Sequence, residues 1–134
     1  LMSVADKSMS ASGFPSPAED YLEPFLNLNE HLIRNPSATF FIRVKSESMS
    51  RAGVHKGDLL LVDRSLKPSD GSIVIGVLSE DFLLGRLVYV GRDVFLSFEG
   101  IKNQKLRITE DMDFQIWGVA IHVIHKLSSI KKAL

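Results

Sequence analysis

The sequence predicts a mostly β domain with a curved, largely antiparallel sheet, barrel-like if it closes, and short helices near the N-terminus. Three observations carry this. From Ala38 onward Phe40, Ile42 and Val44 alternate with Phe41, Arg43 and Lys45, the period-two pattern of a half-buried strand. More candidate strands follow at short spacing, parted by Lys-Gly-Asp, Pro-Ser-Asp-Gly, Gly91 and Glu-Gly turn residues. No regular strand–helix alternation is present, which disfavours a parallel doubly wound sheet. With 134 residues, 45% apolar and 24% charged, the chain has the composition of one globular domain.

Taken in order, residues 1–16 hold five serines and two methionines with little that could pack, and read as a flexible arm. The domain then runs over 17–134. Ser16, Pro17 and Glu19 form a helix start, and Pro24 should break that turn. A second start lies at Asn27 with Glu30 three residues on; Leu28, Leu32 and Ile33 give it a short apolar stripe that ends before Asn35-Pro36. After the strand that begins near Ala38, further strands are expected over 58–63, 72–78, 82–90, 94–98, 105–109 and 114–126. The last contains Phe114–Ile124, a long apolar stretch suited either to a central strand or to a dimer surface.

Sixteen basic residues balance sixteen acidic ones, so no net field draws the molecule to nucleic acid or to membrane phosphates. Apolar runs fall well short of the roughly 20 residues a membrane helix needs, and the first residues lack a secretory signal layout. The expectation is a soluble cytoplasmic protein. Cysteine is absent, which excludes disulfides, thiolate metal sites and thiol catalysis. Phosphate loops, paired-histidine metal spacings and Gly-x-Ser-x-Gly elbows are missing, so neither cofactor nor metal is expected. His122 and His125 are an odd number of residues apart and read as sheet residues, not ligands.

One segment stands out: Val44-Lys45-Ser46-Glu47-Ser48-Met49-Ser50 ends a strand with an accessible serine, a large apolar residue and then a turn toward Gly53. Alone this is a weak signal, because serines often terminate strands. Five blocks in order strengthen it: SGFPSPAEDY from Ser12, NPSATFFIRVKSESM from Asn35, GDLLLVDRSLKPSDGSIV from Gly57, FLLGRL from Phe82 and WGVAIHVI from Trp117. Together they resemble the UmuD branch of the LexA/UmuD serine–lysine autopeptidases, peptidase family S24, over most of the chain.

The resemblance implies a LexA/UmuD C-terminal-like β domain in which Ser48 is the nucleophile. The implied scissile bond joins Ser12 to Gly13 in the chain's own arm, and small residues there suit close approach of an extended backbone to a nucleophile. The general-base lysine of the family falls on Gly85, which carries no amine. Such catalysis needs a buried, neutral lysine. Arg86 is no substitute, since it stays protonated and its neighbouring strand position points the other way. Lys45 and Glu47 would be turned away if the strand continued to Ser48, while His55 could reach the site only through the following turn. The expected behaviour is slow self-cleavage or none. Gly85 also has a structural reading, as a β-bulge or a close backbone approach.

The implied partners are a second copy in a homodimer, a RecA filament that promotes arm cleavage, and a Y-family lesion-bypass polymerase subunit, with no direct sequence-specific DNA binding and no membrane. Twelve residues ahead of Gly13 are too few for a helix-turn-helix, which favours this reading over a repressor. A noncatalytic interaction module on the same fold and the C-terminal domain of a LexA-type or phage repressor are the alternatives.

Overall fold

The computed structural model describes residues 26–128. The arm, the Ser12-Gly13 bond and the helix start at Ser16 lie outside them. The chain divides into two compact units, residues 1–34 and 35–134.

In the first unit the described structure is one helical turn, α1 (Leu28–Leu32). The Asn27 side chain caps it by accepting from the Asn29 amide at 3.0 Å, with Glu30 in the first turn where the helix dipole favours an acid. This is the start expected from sequence.

The second unit is built on a single antiparallel sheet of seven strands: β1 (Thr39–Arg43), β2 (Leu59–Asp63), β3 (Ile73–Leu78), β4 (Asp81–Val90), β5 (Asp93–Glu99), β6 (Asn103–Ile108) and β7 (Phe114–Ile124). Every expected strand is present, shifted by a few residues at most. The order is β1-β2-β7-β3-β4-β5-β6, so the sheet stays open, with β1 and β6 at its edges. The last strand inserts between β2 and β3 and pairs with both. It is a central strand, buried at Gly118 and Val119 and exposed from His122 to Ile124 at its end.

Side chains from opposite faces feed two buried clusters. One gathers Val44, Met49, Val54, Leu60, Val62, Ile75 and Leu84 beneath the segment that joins β1 to β2. The other holds Val74, Leu87, Leu96 and Val119. Val74 and Ile75 are neighbours on β3 yet belong to different clusters, as the pleat requires. Among the described residues no helix is long and apolar enough to cross a membrane.

Candidate active site

Strand β1 stops at Arg43, and the chain enters an irregular segment that carries Ser48. The odd-separation argument against Lys45 and Glu47 therefore does not apply, because the alternation ends before either. Two anchors fix the segment. Met49 is fully buried in the first cluster, and its sulfur accepts from the Glu99 amide at 3.4 Å. Gly100 lies against the backbone on the other side: a Cβ there would come within 2.7 Å of the Glu47 carbonyl oxygen. The glycine thus permits a backbone approach no other residue allows. A 3-10 turn, Ser50–Ala52, then reverses the chain, closed by Gly53 at φ 88°.

These constraints hold Ser48 half-buried against β4. Its hydroxyl donates to the Leu84 carbonyl oxygen at 2.9 Å and lies 3.1 Å from the Ser46 hydroxyl. Leu84 immediately precedes Gly85, so the expected serine and the strand bearing position 85 are neighbours. A groove of about 380 Å³ leads away from this point. Residues 42–46 form one wall and Phe82–Leu84 the other, while Leu60, Ile75 and Trp117 from β2, β3 and β7 make the floor. Trp117 is braced by Phe40 and Phe82, with ring centroids 5.3 and 6.1 Å away, and by the Arg64 guanidinium 4.4 Å from its ring centre.

Gly85 is buried at a close approach and is no bulge, since the β3–β4 register runs unbroken from Ile73↔Arg86 to Leu78↔Asp81. A Cβ at 85 would fall 2.8 Å from Leu96 Cγ and 3.0 Å from the Ser97 carbonyl oxygen. Arg86 is engaged elsewhere: its guanidinium donates to Glu99 at 2.6 Å and to the Gly71 carbonyl at 2.9 Å. Its hydrogen bond to Glu99 holds it even more firmly protonated than an ordinary arginine, so it accepts no proton from a hydroxyl. Lys45 lines the groove but is exposed and makes no hydrogen bond to Ser48. His55 turns toward His125, with ring centroids 5.4 Å apart.

A hydroxyl whose hydrogen bonds go to a carbonyl and to another hydroxyl is positioned but not deprotonated. The geometry supplies a half-buried serine beside a groove and, among the described residues, no amine hydrogen-bonded to Ser48. Residues 4–121 match the family model described as Peptidase S24-like. The chain belongs to the peptidase S24 family. Among S24 relatives it is 42% identical to Protein ImpA of Salmonella typhimurium over 121 residues, which is 90% of this chain and 81% of that protein. Protein MucA of Escherichia coli is 39% identical over 84% of this chain and 77% of its own length. The LexA repressor of Psychromonas ingrahamii is 33% identical over 85% of this chain but only 54% of the repressor.

Sequence reasoning missed two members of this S24 site. Gly100 had no local signal, since its constraint is a backbone from a distant part of the chain. Asp58 was read as turn chemistry, yet its side chain is 3% exposed and ties the serine-bearing segment together.

Proposed function

We propose that this chain is a UmuD-like protein of the SOS response: a serine–lysine autopeptidase by descent, whose RecA-promoted self-cleavage at Ser12-Gly13 activates a lesion-bypass polymerase complex, and whose own cleavage is disabled at Gly85. Membership of the S24 family supports the ancestry. The observation that carries the deficiency is the Ser48 hydroxyl, which donates to the Leu84 carbonyl one residue before Gly85.

In this reading Ser48 Oγ attacks the Ser12 carbonyl carbon while a base takes its proton. The C–N bond breaks, the Gly13 amine leaves with a proton, and water later hydrolyses the serine ester. Without an amine at 85 the first proton transfer has no acceptor of suitable basicity. The chain then acts as an uncleaved form that still dimerises, meets RecA filaments and assembles with a Y-family polymerase subunit in the cytoplasm. Specific DNA contacts belong to those partners.

The noncatalytic interaction module is the second reading, favoured by the absence of space for a side chain at 85. A cleavage assay separates active from inactive forms. Mixed with RecA filaments on single-stranded DNA, the chain should remain full length by gel and mass spectrometry. Efficient release of a fragment beginning at Gly13 would overturn the assigned deficiency.

A further inference from the structure

The segment from Val44 to Asp58 is closed at its base by two backbone bonds, Val44 N–H to the Asp58 carbonyl at 2.9 Å and Gly57 N–H to the Val44 carbonyl at 2.8 Å. The Asp58 carboxylate locks that base. One oxygen accepts from the His55 amide at 2.8 Å, and the other meets His125 Nδ1 at 2.5 Å. His125 comes from a different element, directly after β7, and its side chain is 46% exposed.

A carboxylate this deeply buried is costly unless its charge is answered. Burial works to raise the Asp58 carboxyl, but the His55 amide, the His125 ring and the charge of both imidazoles outweigh it and hold the group below its ordinary value. Asp58 is therefore ionised across the neutral range. Imidazole is the side chain that ordinarily gains and loses its charge in that range. Protonated, it offers a charge-assisted hydrogen bond; neutral, it keeps an ordinary N–H donor.

We propose that Asp58 and His125 form a pH-governed clasp that positions the Ser48-bearing segment, tight when His125 is protonated and loose when it is neutral. The inference does not depend on Ser48 ever being deprotonated. Among the described residues, few other charged groups surround the clasp. His55 lies on the segment itself, with its ring centroid 5.4 Å from that of His125; its cation attracts Asp58 and opposes His125. Lys56 gives its amide to Glu47 Oε1, Arg43 donates to the Gly57 carbonyl, and Lys126 follows His125. Of these only His55 carries a second imidazole.

Amide hydrogen exchange read by NMR tests the clasp. After correction for intrinsic exchange, protection of the Val44 and Gly57 amides should fall about tenfold between roughly pH 6 and pH 8, while Val74 on β3 stays unchanged. His125→Gln, at a half-exposed position, should abolish the pH dependence, and His55→Gln should preserve it. A flat wild-type profile, or the same fall in His125→Gln, would overturn the proposal. If those amides exchange too fast to follow, imidazole 15N titration decides: the His125 midpoint should drop in Asp58→Asn, and an unchanged midpoint in that variant, folded by its NMR spectrum, rejects the clasp.

Discussion

A Cβ on residue 85 would lie 2.8 Å from Leu96 Cγ and 2.9 Å from Leu96 Cδ1, inside any normal contact distance. The space a base would enter is occupied by a leucine of the second cluster that is itself fully buried. Glycine in a strand is ordinarily weaker than alanine by up to ~1 kcal/mol, so Gly85→Ala on an open strand would stabilise. Here overpacking wins, and the substitution should cost about 1–3 kcal/mol. Leu96→Ala alone should cost roughly 2–5 kcal/mol as a cavity. Made together, the two relieve each other. A double-mutant cycle in urea should therefore return a coupling of about 1–3 kcal/mol in favour of the double variant. Strict additivity would show that Leu96 does not close the site.

Among the elements, β1 and β2 are joined by more than their ladder. Asp63, at the end of β2, is 1% exposed and accepts from the Asn35 side-chain amide at 2.9 Å and from the Ser65 amide and hydroxyl at 2.8 and 2.6 Å. The Asn35 bond first, then those from Ser65, hold its carboxyl below the ordinary 3.8 against the opposing effect of burial. A depressed folded value means the stabilisation is complete above the unfolded value and is lost as pH falls through the folded one. Asp63→Asn should therefore be less stable than wild type at neutral pH, with the gap closing only below about pH 4. Chemical denaturation at several pH values checks this, and a gap that widens on acidification contradicts it. At this scale the sequence is readable because strands and caps are local: the Asn27 cap and the seven strand runs, alternating in β1 and continuously apolar in β2 and β3, declare themselves within a few residues. The end of β1 was misjudged since Val44 and Lys45 continue the alternating pattern, while the backbone leaves the ladder to bond Asp58. Gly100 and the Asp58–His125 pair were invisible because each depends on residues brought together only by the finished fold.

For the whole molecule, strand order is the information the linear pattern lacks. Nothing in Phe114–Ile124 says that it will slide between β2 and β3, and the same apolar run suited a dimer surface equally well. Pairing on both edges makes it a central strand, while Val123 and Ile124 at its end stay exposed. What the order does accomplish is to lay β2, β7 and β3 as a floor between the end of β1 and the start of β4, so that a groove is bordered by Ser46 and Leu84, the two hydrogen-bond partners of Ser48. The placement of Ser48 next to β4 was legible only through the ordered motif blocks, and composition alone would not have found it. In the proposed reading Ser48 is a nucleophile for the chain's own arm, and Gly85 stands where its base would be. Intact-mass spectrometry of the Gly85→Lys/Leu96→Ala variant tests that most directly, at about pH 10 where a lysine amine is substantially neutral. The account predicts a new fragment beginning at Gly13, absent from wild type and from the same variant carrying Ser48→Ala. A variant that is folded by circular dichroism yet stays whole, or a wild-type chain that cleaves just as fast, would contradict it.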